Sequence, residues 1–383
     1  TACVGKMHFR PTYLDLGFDT MILAEQNGEG RYDDDYHRML KDNDLVDKND
    51  LFDQVQIYNV HADQNYWEEM GALTSNLPEA FHSTTFIGNK ACEILEDWDS
   101  QRNMMMVGFI KPHHPFDPPD KWSDMYEPET LSMPKDWTET ISDWDLPHMK
   151  FDFTKLNEDQ LKRIMAKYYA TISQIDHQIG RMIQILKEKG IYEDTLIVYT
   201  SDHGEYMGSH HLLLKCQNHY EALMKIPQII KYPKGFRKGE VEEALASNID
   251  LAPTILKYLG LPVPLTMTGI DMNSSANSYV YCTGEPLTIR SQRYKLMFAE
   301  KGTHLFFDLE EDPFETNNLY GVDDYTDLVM AHFEQLMKWY RKERTQDLYI
   351  NDQAPLSKSP NRSSGDEALR KDMKEYMWNK VFT

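Results

Sequence analysis

At 383 residues and 41% apolar side chains, the chain can bury a substantial core and form one large domain with a smaller one. Its 62 acidic residues against 40 basic ones give a formal charge of −22, which disfavours nucleic acid as a partner because phosphates would be repelled. No apolar run approaches the ~20 residues needed to span a bilayer, so no transmembrane segment is expected. Four scattered cysteines, Cys3, Cys92, Cys216 and Cys282, lack the spacing of a zinc ribbon or a disulfide scaffold.

In chain order, Thr1-Ala2-Cys3-Val4 reads as a strand that gives out at Gly5-Lys6-Met7-His8. Residues 31 to 54, rich in aspartate from Asp33-Asp34-Asp35 onward, read as a solvated loop; the glycine and terminal glutamate of a calcium-binding EF-hand are misplaced in it. A second apolar run, Met104 to Ile110, leads into Lys111-Pro112-His113-His114-Pro115-Phe116-Asp117. Apolar residues at Leu161, Ile164, Tyr168, Ile172, Ile175, Ile179, Met182 and Leu186 predict one long helix over 158–189, ended by Gly190. Thr195 to Tyr199 is short, β-branched and unbroken, the pattern of a buried parallel strand. The loop after it, Thr200-Ser201-Asp202-His203-Gly204 through His210-His211 to Lys215, packs an acid, three histidines and a lysine into sixteen positions.

Further on, Asp250 as N-cap, Pro253 in the first turn and Gly260 past the end bracket a short helix. Short strands are expected at 279–282, 287–290, 294–298 and 304–307, followed by an amphipathic helix through Leu328, Phe333, Leu336 and Tyr340 that covers the small sheet. After Gln346 the composition turns polar and predicts an extended tail. The expected fold class is therefore α/β, a mostly parallel central sheet flanked by helices with a smaller C-terminal antiparallel sheet plus helix. The expected domains are 1–272 (catalytic), 273–345 (small α+β) and 346–383 (tail).

Three strands thus end in clusters of lysine and histidine, against an acidic background. Converging positive charge in a low-dielectric cleft is how a protein holds a tetrahedral oxyanion. An aspartate beside a neutral histidine can offer oxygen and nitrogen to a divalent cation. Each residue also has a plainer reading. Lys6 alone is a surface lysine at a strand end, His8 a hydrogen-bonded core histidine, and Lys215 a side chain snorkelling from Leu212-Leu213-Leu214. His114 reads as structural or substrate-facing, His210, His211 and His219 as hydrogen-bonded loop residues or substrate contacts, and Cys3 as a small buried hydrophobe.

Taken together, Thr-Ala-x-x-Gly-Lys-x-His, Lys-Pro-His-x-Pro-Phe after a strand and Ser-Asp-His-Gly with Gly-x-His and a lysine resemble the formylglycine-dependent sulfatases of the alkaline phosphatase superfamily. Asn248 to Leu256 and Leu305 to Leu319, with Glu315-Thr316-Asn317-Asn318-Leu319, continue the resemblance, so that it spans residues 1 to about 345. It reverses the plain readings of Lys6, His8 and Lys215. It implies a sulfuric ester hydrolase acting on a sulfated small molecule or carbohydrate, with Asp202 and His203 as metal ligands. Lys6 and Lys215 would clamp the sulfate oxygens, His113 would bind substrate and protonate the leaving alkoxide, and His8 would take a proton in the release of sulfate.

The cation implied is Ca²⁺; histidine where many relatives carry asparagine keeps Mn²⁺ and Zn²⁺ open. One part of the pattern is missing: no Cys-or-Ser-x-Pro-Ser-Arg segment precedes Thr1, so the formylglycine nucleophile is expected outside this chain. Lys358-Ser359-Pro360-Asn361-Arg362 has lysine where the nucleophile should stand. Two alternatives stay open, a phosphonate or phosphate monoester hydrolase of the same superfamily, and a catalytically silent metal- or anion-binding fragment. By resemblance alone the setting is periplasmic, secreted or lysosome-like. The residues that would read a sugar lie in loops 9–100 and 114–150; Trp67, Trp122 and Trp137 there are expected mostly in the core. Oligomeric state is open.

Overall fold

Strand β1 (Ala2–Gly5) is the middle strand of a parallel sheet, flanked by β2 (Thr20–Leu23) and β3 (Met105–Gly108). It belongs to a computed structural model that describes residues 1–382 apart from 15, 100–101, 146–149, 216–217 and 351–366. The chain divides into two compact units. The first joins Thr1–Ser132, Asn157–Thr195 and the C-terminal segment; the second joins Met133–Leu156 and Leu196–Ala354. Among the described residues no helix is long and apolar enough to cross a membrane.

In the first unit all four residues of β1 are buried, as expected of the centre of a parallel sheet. Val4 and Ala24 pack with Tyr36, Leu40, Leu77, Phe86, Ile87 and Ile110, which come from α1 (Asp35–Asp42), α3 (Ser83–Asp97) and the loops around them. Each such side chain taken out of water contributes about 1.5–3 kcal/mol if fully buried. The long helix α4 (Glu158–Glu188) starts on an Asn157 cap that accepts from Gln160 N at 3.0 Å and ends before Gly190 at φ +70°. It packs along α3.

Residues 31–54 depart from the expected solvated loop. They form α1 and α2 (Lys48–Gln54), and Asp34, Asp47 and Asp50 are buried. Two of these aspartates are helix caps: Asp34 accepts from His37 N at 2.7 Å and Asp47 from Asp50 N at 3.1 Å. Asp50 is paired with the fully buried guanidinium of Arg31. Burial is tolerated because each carboxylate has donors.

The polar tail is the second departure. A C-terminal helix, Glu367–Phe382, lays Met373 and Met377 against Tyr32, Val46, Leu51 and Tyr58 of the first unit. The Lys358–Arg362 segment lies outside the described residues.

In the second unit β4 (Ile197–Thr200) pairs antiparallel with β5 (Gln228–Lys231), and Tyr199 is exposed, so the expected buried parallel strand is corrected on both counts. A β-branched run marks a strand without marking its direction. The helix after Asp250 is present as α6 (Leu251–Tyr258), following the one-turn α5 (Glu221–Met224). Asp250, however, makes no side-chain cap to α6. It is buried and accepts from Ser247 N at 2.8 Å, Ile270 N at 2.8 Å and Asn277 Nδ2 at 2.7 Å, tying three loop segments together.

The C-terminal sheet follows the sequence expectation: β6 (Val280–Cys282), β7 (Leu287–Arg290), β8 (Tyr294–Phe298) and β9 (Leu305–Asp308) form an antiparallel meander. Leu336 of α7 (Thr326–Ile350) closes its core with Ile289, Leu296 and Phe306.

Candidate active site

The sheet of the first unit brings three of the sequence candidates to one end. β1 and β3 run parallel, and Lys6 and His8 follow the first while His113 follows the second. The strands leave the sheet at a pinch: Gly5 pairs with Gly108, Lys6 N donates to Gly108 O at 2.8 Å, a Cβ on Gly5 would stand 2.1 Å from Gly108 O, and one on Gly108 2.2 Å from Lys6 O. Only glycine permits that approach, so Gly-Lys-x-His has a backbone reason for its first residue.

His8 is held in the left-handed region at φ +56°. Its backbone N–H and that of Met7 both donate to Oε1 of buried Glu25 at 3.0 Å, and its ring Nδ1 lies 3.1 Å from Oε2. The ring is 47% exposed, so it is fixed from behind and open in front. His113, between the prolyl bonds of Pro112 and Pro115, donates from Nδ1 to His114 O at 2.8 Å. His114 is architectural: it is buried, with Nε2 2.6 Å from Met70 O and Nδ1 against Asp53. Lys111 is also taken up by the fold, buried against Asp117 and donating to Pro115 O at 2.7 Å. Cys3 is fully buried, and burial with Glu25 nearby pushes its thiol up to about 12, which rules it out as a nucleophile.

The second unit assembles the other three. His203 Nδ1 donates to Gly204 O at 2.7 Å, which turns Nε2 outward with its lone pair. Lys215 Nζ lies 2.8 Å from that nitrogen, and Asp202 Oδ2 stands 3.7 Å from it. Asp202 is 74% exposed on its side chain. Gly204 is again a matter of backbone approach, since a Cβ there would meet Ala222 O at 2.2 Å, where α5 passes.

Glu205, unmarked in the sequence reading, organises the rest of the loop. It is half-buried and accepts from Met207 N at 3.4 Å and from Leu214 N, and desolvation lifts its carboxyl to about 8. Leu212 and Leu213 are core residues. His210 stacks on Tyr220 with centroids 3.7 Å apart, and burial pushes it down to about 4. His211 spans Thr138 O and Phe153 O at 2.7 and 2.8 Å, while His219 Nδ1 lies 2.8 Å from Thr288 Oγ1. All three are therefore architectural. Trp122 is in the core as expected, Trp137 stacks half-buried on His211, and Trp67 is exposed.

The donors fit a divalent cation in part. Asp202 and His203 direct a carboxylate oxygen and an imidazole nitrogen toward one place, with the histidine tautomer set by a backbone carbonyl as metal-bound histidines commonly are. A cation at Nε2 would have to displace the Lys215 ammonium, and among the described residues no group of three or more His, Cys, Asp or Glu side chains forms a complete metal cage.

The sulfatase family model matches residues 1–261. The chain belongs to the sulfatase family. An arylsulfatase of Clostridium perfringens is 29% identical over 364 residues, covering 86% of this chain and 73% of that protein. An N-acetylglucosamine-6-O-sulfatase of Bacteroides thetaiotaomicron is 30% identical over 205 residues, 47% of this chain and 37% of that protein. In fold, the phosphonate monoester hydrolase of Agrobacterium radiobacter superposes with a TM-score of 0.69 at 20% identity, over 89% of this chain and 78% of that one. The α/β class of this sulfatase is thus matched by solved structures, and its first 261 residues hold every candidate site residue.

Proposed function

We propose that this sulfatase hydrolyses sulfate esters, with a sulfated sugar as the substrate class. The observation that carries the reading is the loop after β4, where Lys215 Nζ, His203 Nε2 and the exposed carboxylate of Asp202 converge. An anion-clamping ammonium beside two metal-capable donors is what a sulfate group needs. Family membership and the sugar sulfatase among the relatives support the substrate class.

In this reading Lys6 and Lys215 neutralise charge on the sulfate oxygens, His113 gives a proton to the leaving alkoxide, and His8 takes one as sulfate is released. Asp202 and His203 would supply two ligands to a divalent cation, which when bound adds positive charge at the sulfate oxygens. Ca²⁺ is the first choice, with Mn²⁺ and Zn²⁺ suited to the imidazole. The nucleophile is a formylglycine carried outside residues 1–383.

Hydrolysis of an aryl sulfate and an aryl phosphate tests this, using residues 1–383 alone and extended by the sequence encoded ahead of Thr1, each with Ca²⁺ and with chelator. Chelator-sensitive turnover of the sulfate by the extended chain alone is the expected result. Preference for phosphate would replace the reading with a phosphoester or phosphonate hydrolase. Turnover by residues 1–383 alone would overturn the assignment of the nucleophile, and no turnover in any arm would leave a silent binding protein.

A further inference from the structure

We infer that Glu25 is the positioning residue of His8: it sets which ring nitrogen carries the hydrogen and fixes the left-handed turn that presents the ring. Its consequence for turnover rests on the function proposed above; its structural content does not. Glu25 is 2% exposed at the end of β2, within the first unit. Each of its oxygens has separate work. Oε1 accepts the N–H groups of Met7 and His8, both at 3.0 Å, and Oε2 faces His8 Nδ1 at 3.1 Å.

A carboxylate has no hydrogen to give, so the hydrogen of this bond belongs to Nδ1 and the lone pair is left on Nε2, the nitrogen at the open face. That is the tautomer a proton acceptor requires. A histidine free in water has no such constraint, and at 47% exposure nothing in its burial would impose one.

Glu25 is itself held through its backbone. Glu25 N donates to Asp34 Oδ2 at 2.6 Å, and Asp34 is buried as the cap of α1, where its oxygens also take His37 N at 2.7 Å and His37 Nδ1 at 2.9 Å. The path from α1 through Asp34 to Glu25 and then His8 ties a half-exposed ring to the core. The backbone bonds matter equally. A non-glycine residue at φ +56° is sterically disfavoured, and two N–H groups converging on one carboxylate oxygen offset that.

The test is Glu25→Gln, which keeps the shape and a carbonyl oxygen for Met7 and His8 but turns an NH₂ toward Nδ1. Imidazole nitrogens are read by ¹⁵N NMR of histidine-labelled protein, with His8 signals identified by their loss in His8→Gln. Hydrogen on Nδ1 in the parent and on Nε2 in Glu25→Gln is the expected result; the same tautomer in both would overturn the inference. Glu25→Asp keeps the charge but is one methylene shorter, and should retain Nδ1–H with weaker protection of the Met7 and His8 amides. Should Glu25→Gln fail to fold, loss of Nδ1–H in Glu25→Asp would overturn the inference instead.

In the active protein, Glu25→Gln should lower kcat about 10²–10⁴-fold, the range of a general acid–base group, with KM little changed. The double variant with His8→Gln should be no slower than His8→Gln alone. Additive losses would show that Glu25 acts other than through His8. A tautomer swap together with no sulfate turnover by the extended, metal-loaded chain would sink the proposed function and leave this inference standing.

Discussion

Replacing Asp145 by asparagine should remove a pH-dependent load on the second unit, of a size that the site itself sets. Asp145 is 5% exposed and accepts from Asn218 Nδ2 at 2.7 Å and from Tyr220 OH at 2.9 and 3.1 Å. Burial outweighs those bonds and pushes the carboxyl up to about 6. Below about pH 4 the group is protonated folded and unfolded, and it costs nothing. As pH rises toward 6 the unfolded chain ionises first, so stability falls; above 6 both states are ionised and the loss is complete. From the ordinary aspartate value of about 3.9, at about 1.4 kcal/mol per pH unit, the loss comes to about 3 kcal/mol.

Asparagine is isosteric and does not titrate. Whatever its altered hydrogen bonds are worth does not change with pH, so the comparison of slopes is clean. Urea unfolding of both proteins at pH 4 through 8 should show the variant gaining about 2 kcal/mol on the parent between pH 4 and 7, the rest of the loss lying outside that window. A stability difference that stays flat over that range, or a parent that gains on the variant, would refute the reasoning.

Three further outcomes follow from the geometry. Glu315→Ala strips one of two carboxylates from buried Lys295, whose Nζ lies 2.7 Å from both Glu221 and Glu315, and leaves Glu221 N without its 2.6 Å acceptor. Urea unfolding should show a loss of about 3–5 kcal/mol, and Glu315→Gln, which keeps an acceptor, a smaller one. Gly108→Ala places a methyl 2.2 Å from Lys6 O and should cost at least about 2 kcal/mol in thermal unfolding, by forcing the β1 and β3 ends apart. Lys215→Met keeps the apolar stem and removes the charge beside His203. Sulfate ester turnover should fall about 10²–10³-fold while the unfolding midpoint stays close to the parent's.

The parts of this chain legible in its sequence are those whose cause is local. The 158–189 helix is written in one apolar stripe with a glycine after it, and the C-terminal meander in short strands with turns between. What was not legible depends on partners far away in the chain or on signals that compete. Asp34, Asp47 and Asp50 look like a solvated run because a carboxylate without donors belongs in water; only folding supplies the caps and Arg31 that let them be buried. Met373, Tyr376, Met377 and Val381 do carry a helical period, which the polar residues preceding them mask.

The same distinction sorts the family's own motifs. Asn318 spends its amide on Phe306 N, Tyr320 N and His304 O, and Asp250 its carboxylate on three loop segments. Those motif residues end on the fold and explain its shape. Asp202 at 74% and His8 at 47% exposure are held by one side and open on the other, and that asymmetry sets these proposed site residues apart from the architectural ones where motif strings cannot. Glu25 and Glu205 are sorted the same way: neither stands out in the sequence as a site residue, yet buried Glu25 and half-buried Glu205 each hold the backbone of a candidate loop, so these groups had to be found from hydrogen bonds.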